Sequence, residues 1–152
     1  MPLTLLTLAA ALVAGTPLPI DAALLHGLPL ADATLNAHGE VHHCAGPTVA
    51  SLLAKLGLPQ GEQLGGPALA NGVLFRASDG YAVLFSLGEL NSTLGNETAI
   101  IAVSCEGKPL DGKTGPYRVM LPGDHRPARA MRQVISLELV VPLNSPQARR
   151  RH

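Results

Sequence analysis

The chain has 152 residues, 47% of them hydrophobic and 14% charged, which excludes a disordered chain and suffices for one domain with its own core. Its 11 basic and 11 acidic residues cancel, so no global field favours nucleic acid or an anionic membrane surface. Aromatics are 3% and Trp is absent, so aliphatic side chains and alanine must fill the core.

The first 20 residues carry no charged side chain. Leu3 to Ala14 is an apolar run of signal-peptide length, too short to span a bilayer, and Ala14-Gly15 offers small residues for cleavage, although no basic residue precedes the run. Two readings stand: a leader over residues 1–16, with a periplasmic or secreted mature chain that has no integral membrane segment, or a buried segment of the domain. The domain itself is expected over residues 17–142, followed by a polar, disordered tail over 143–152 that contains Arg149 to Arg151.

Asp21 caps a short helix, Ala22 to His26, ended by Gly27 and Pro29. Ala31 to Ala37 alternates apolar and polar residues, the period of a half-buried strand; His38-Gly39-Glu40 turns it, and Val41 to Cys44 returns. Thr48 to Leu56 is the clearest helix, because Val49, Leu52, Leu53 and Leu56 fall on one face and Gly57 supplies the stop. Residues 59–71 read as a loop. Val73 to Ala77 and Ala82 to Phe85 are β-prone runs around Ser78-Asp79-Gly80-Tyr81, and Asp-Gly between such runs signals a hairpin. Ser86-Leu87-Gly88-Glu89 has capping-box spacing and starts a short helix. Thr98 to Val103, Tyr117 to Leu121 and Val134 to Val141 complete the strands, with a turn-rich connection over Glu106 to Thr114. The fold class that follows is α+β and predominantly β, one domain with one clear helix and two short ones.

Cys44 and Cys105 either pair in an oxidising compartment or remain two separate buried thiols, and the sequence alone favours the thiols. His38, His42, His43 and Cys44 are the densest group of metal-ligand residue types. Alternation along a strand sends His42 and His43 to opposite faces, so surface histidines on a hairpin are the better reading. No Gly-x-Ser-x-Gly elbow is present.

Near the C-terminus Gly115-Pro116-Tyr117-Arg118 runs into Pro122-Gly123 and then Arg126, Arg129 and Arg132. The guanidinium is a rigid fork of donors suited to phosphate and carboxylate, so four arginines beside a Gly/Pro-shaped loop suggest an anion cradle. The alternative is a solvated basic edge.

An ordered series of motifs spans the chain: Gly46 with Leu52-Leu53 and Gly57, then Ala77-Ser78-Asp79-Gly80-Tyr81, Phe85-Ser86-Leu87-x-Glu89, Gly107-x-Pro109-Leu110, Gly115-Pro116-x-Arg118-Val119-x-x-Pro122-Gly123 and Ala128-Arg129-x-x-Arg132-Gln133-Val134. The series resembles the small, exported members of the sulfite-oxidase-type molybdopterin-binding family over roughly residues 17–141. The resemblance implies a compact β-rich fold of mixed sheets and a molybdopterin site with Gly115 and Arg118 beside the cofactor. It further implies that Asp79 accepts from the pterin and that Arg126, Arg129 and Arg132 hold its anionic end. It implies an oxidoreductase with a periplasmic redox partner. The Cys-x-Gly-Asn-Arg-like segment that supplies the molybdenum-ligating cysteine in the catalytic enzymes is absent. The alternative is therefore a non-catalytic module that keeps the fold and binds a small anion or a partner protein.

Overall fold

The computed structural model describes residues 12–143, so most of the expected leader and the tail from Asn144 lie outside the described residues. The chain is α+β and predominantly β. Strand β1 (Leu18–Pro19) leads to helix α1 (Ala22–Leu25), the hairpin β2 (Leu30–Ala37) and β3 (Glu40–Pro47), and helix α2 (Val49–Lys55). The hairpin β4 (Gly72–Ala77) and β5 (Ala82–Ser86) follows, then α3 (Leu87–Leu90), β6 (Ile100–Ala102), β7 (Ser104–Cys105), β8 (Lys108–Pro109), β9 (Arg118–Met120) and β10 (Val134–Val140). Among the described residues the strands form three sheets, in the orders β1-β10-β4-β5, β2-β3-β7-β8 and β6-β9. Among the described residues every strand pairing is antiparallel; a parallel bridge joins Ala14 to Leu139.

Local chemistry accounts for the element ends. Leu24 N–H donates to Asp21 Oδ1 (2.8 Å), and Ser51 N–H donates to Thr48 Oγ1 (3.1 Å) at the start of α2. Gly57, at φ +82°, closes α2: its N–H donates to Ala54 O and Leu58 N–H donates to Leu53 O, both at 3.0 Å. This double bond pattern needs a left-handed residue, which glycine supplies without a Cβ clash. His38 (φ 53°) and Gly39 (φ 82°) both take positive φ, the two-residue turn whose twist matches its strands. The expected loop over 59–71 contains two 3-10 turns, Gly61–Gln63 and Gly66–Ala70. The expected turn-rich connection after Cys105 holds β8, which pairs with β7.

Two apolar clusters hold the layers together. The larger packs Val49, Leu52 and Leu53 of α2 against Val73, Phe75, Phe85, Leu137 and Leu139 on the inner face of the first sheet. Phe75 and Phe85 meet edge to face with centroids 5.7 Å apart. Leu12 is buried in the same cluster. The smaller cluster lies between the second and third sheets and contains Ala33, Leu35, Ala37, Cys44, Ile100, Ala102 and Met120. Leu35, Ile100 and Met120 are its only large buried members among the described residues.

Cys44 and Cys105 form a disulfide in this second cluster, which corrects the expectation of separate thiols. They are direct partners across β3 and β7, with Cα atoms 4.0 Å apart. Backbone bonds from Glu106 N–H to His43 O (2.8 Å) and from Val103 N–H to Ala45 O (2.9 Å) flank the pair, leaving it at the narrower, non-hydrogen-bonded position. Closing a loop with a sequence separation of 61 contributes about 4 kcal/mol in the chain-entropy model. Among the described residues no helix is long and apolar enough to cross a membrane.

Candidate functional site

A cavity of about 610 Å³ opens where three segments converge: the tip of the β2–β3 hairpin, the β4–β5 turn, and the two chain stretches that carry Arg118 and Arg132. Its volume suits a small organic ligand. His38, Glu40 and His42 form one wall, Asp79 and Tyr81 another, and Arg118, Met131 and Arg132 a third.

The two arginines meet for a backbone reason. Val119 N–H donates to Met131 O (3.0 Å) and Val134 N–H donates to Tyr117 O (3.0 Å). These bonds align the segments and place residues 118 and 132 side by side. Val119 and Met131 are buried and anchor the pair from below. Arg118 Nε is buried with no hydrogen-bond partner. Neither arginine forms an ion pair among the described residues. Burial, and after it the charge of Arg132, lower the Arg118 pKa from its ordinary value. The guanidinium still remains charged at physiological pH. A half-buried cation that feels a second cation, with no carboxylate at ion-pair distance among the described residues, can be relieved by a bound anion.

Asp79 occupies the β4–β5 turn, where its Oδ1 accepts from Tyr81 N–H (2.9 Å). Its side chain thus shapes the turn and also lines the cavity. The turn is fixed to the arginine segment: Tyr81 O–H donates to Ala128 O (2.6 Å), Ser78 N–H to Gln133 O (2.9 Å) and Ser78 Oγ to Gln133 Oε1 (2.8 Å).

The remaining expected site residues lie elsewhere. Arg129 turns away from the cavity and donates from Nε and Nη2 to the two carboxylate oxygens of Asp124 (2.9 and 2.8 Å) and from Nη1 to Glu89 Oε1 (2.8 Å). Its guanidinium also lies 5.1 Å from the Phe85 ring centroid. Arg126 is exposed at the start of the 3-10 turn Pro127–Arg129 and does not line the cavity. Gly115 is buried behind the wall; a Cβ there would lie 2.6 Å from Leu110 Cβ, so this glycine permits a close chain approach. Its neighbour Thr114 reaches the cavity.

Sequence reasoning missed the opposite wall. In the sequence His38 and His42 read as surface histidines on a hairpin in preference to metal ligands, whereas the hairpin brings them to the cavity that Arg118 and Arg132 also line. Glu40 lies 3.8 Å from His42 Nε2. His43, on the other face, donates its N–H to Glu106 Oε1 (2.9 Å). Among the described residues no three of His, Cys, Asp and Glu gather as a metal-holding group. No protein-family model and no curated protein matches this chain.

The Arg129 network makes a separate prediction. Its hydrogen bonds chiefly hold the Asp124 carboxyl below the usual carboxylate range. A lowered folded pKa stabilises the fold fully above the ordinary value near 4, and the contribution disappears as pH falls through the lower folded value. Arg129→Ala is expected to cost about 1–2 kcal/mol in urea unfolding at neutral pH, with a shallower loss of stability below about pH 4. Unchanged stability would show that Arg129 does not hold the 3-10 turn.

Proposed function

We propose that the chain is an exported binding domain of the sulfite-oxidase-type molybdopterin class, and that it holds a pterin or related small anion between Arg118 and Arg132. The observation that carries the reading is the buried, unpartnered Nε of Arg118 beside a second unpaired arginine in a cavity of ligand size. The ligand's anionic group meets the arginines by charge-assisted hydrogen bonds. Asp79 and Glu40 offer acceptors to donor groups at its other end.

The residues fit a pterin's anionic end but not a protein-bound molybdenum. The chain has two cysteines, they are bonded to each other, and neither lines the cavity. No protein thiolate is therefore at hand to ligate the metal there, which favours the non-catalytic binding module over the oxidoreductase. The second reading, a molybdopterin-dependent oxidoreductase with a periplasmic redox partner, rests on the ordered motifs alone.

Two measurements separate these readings. Isothermal titration of the purified chain with a pterin monophosphate should show one site per chain, with affinity that falls as salt rises. No detectable binding would overturn the anion-site reading. Protein made in a host that synthesises molybdenum cofactor should carry little molybdenum; near-stoichiometric metal would overturn the non-catalytic one.

A further inference from the structure

We propose that the Cys44–Cys105 disulfide is a redox-controlled clamp on the hairpin wall of the anion cavity; its effect on ligand binding rests on the reading above. The bond sits where two chain paths to the cavity meet. Along β3, His42 lies two residues before Cys44, and Glu40 lies two further on. From Cys105 the chain passes through β8 to the Asp111 turn, then to Thr114 and Arg118. The turn is itself well ordered by hydrogen bonds: Asp111 Oδ1 accepts from Lys113 N–H, Thr114 N–H and Thr114 Oγ1 at 2.9–3.0 Å.

Little else joins β3 to β7. Their register holds two residue pairs, Cys44–Cys105 and Ala45–Ser104. The flanking backbone bonds and the Glu106–His43 contact are the remaining ties described above. The cluster beneath is small, with Leu35, Ile100 and Met120 as its large buried side chains among the described residues. The larger cluster contains neither cysteine. The Gly46 end of β3 stays packed on β6, so opening the disulfide loosens the Glu40–Ala45 stretch that carries the hairpin wall while leaving the first sheet and α2 packed.

Chemistry and access agree. Cys105 is half-buried and Cys44 is buried, so the incoming thiolate attacks Cys105 Sγ. The reductant is a protein or small-molecule dithiol. Its first thiolate forms a mixed disulfide with Cys105 as the Sγ–Sγ bond breaks and Cys44 leaves as a thiolate. Its second thiolate then displaces Cys105. In total two electrons and two protons pass to the pair, and the dithiol becomes a disulfide.

The test compares the full chain before and after reduction, and a Cys44→Ala/Cys105→Ala variant, by segment-resolved amide hydrogen exchange and by titration with a pterin monophosphate. Reduction is expected to lower protection in residues 40–45 and 104–109 by about tenfold or more while protection in β4 and β10 is retained. Ligand affinity should fall by about tenfold and return on reoxidation. Equal protection in both redox forms would overturn the clamp. So would uniform loss across both clusters, which would make the bond a general staple. Loosening of the wall with unchanged affinity would overturn its control of the site. If the oxidised chain binds no ligand, the proposed function fails, and exchange still decides whether the clamp exists.

Discussion

Arg118→Ala is expected to weaken binding of a phosphate-bearing pterin by about 10- to 100-fold, the loss of one or two charge-assisted hydrogen bonds. The fold should not suffer. Arg118 Nε is buried without a partner, and Arg132 adds like-charge repulsion. In the absence of ligand the side chain therefore opposes folding more than it assists it. Arg118→Met keeps apolar bulk in the cavity wall and removes the half-buried charge, so its unfolding free energy should equal or exceed the wild type by up to about 1 kcal/mol. A stability gain coupled to a binding loss marks a residue retained for the ligand. Arg118→Lys should recover only part of the affinity, because a single ammonium replaces the planar fork. If both Arg118→Ala and Arg118→Met bind as the wild type does, Arg118 is not in the site. If both are strongly destabilised, the arginine is structural.

How far the sequence reaches depends on whether a feature is written in neighbouring residues. Helix α2 was legible because its apolar face and Gly57 stop lie in one short run of sequence, whereas the Thr48 cap emerged only in the structure. The β4–β5 hairpin was legible from Asp79-Gly80, and the start of α3 from Ser86, whose Oγ accepts from Glu89 N–H (3.0 Å). The reciprocal half of that capping box was misleading, since the Glu89 carboxylate pairs with Arg129 instead. The disulfide was not legible, because a distance between residues 44 and 105 is set by the β3–β7 register. Strands β7 and β8 are too short to show a period and exist through pairing alone. The arginines illustrate the limit most plainly. Arg126, Arg129 and Arg132 share a spacing of three, yet their partners separate them: Arg129 finds Asp124 and Glu89, Arg126 is exposed, and Arg132 meets Arg118 through the Val119–Met131 bond. Residue type suggested an anion cradle of four arginines, and tertiary pairing brings two of them, Arg118 and Arg132, to one cavity.

Gly46→Ala should produce the largest loss of stability. Gly46 is buried at the end of β3, where that strand crosses β6. A Cβ at this position would overlap the Ile101 carbonyl group and lie 2.9 Å from Ala102 Cα. These are backbone atoms, so no side-chain rotation relieves the overlap. Ile101 cannot retreat either, since it is fully buried and paired with Val119 of β9. Accommodation requires β3 and β6 to part, opening the second cluster around Ile100 and Ala102. The expected cost is at least about 3 kcal/mol, above the usual range for overpacking because the obstacle is rigid. For a domain of this size that corresponds to a fall in Tm of about 10 °C or more. Gly112→Ala is the control, because nothing lies within 4 Å of a Cβ built there. A calorimetric Tm for Gly46→Ala within about 2 °C of the control would show that β3 can move off β6 freely. It would also remove the physical reason for the glycine that opens the helix motif. A large fall confined to Gly46→Ala would tie that glycine to strand packing, and through β6 and β9 to the placement of Arg118.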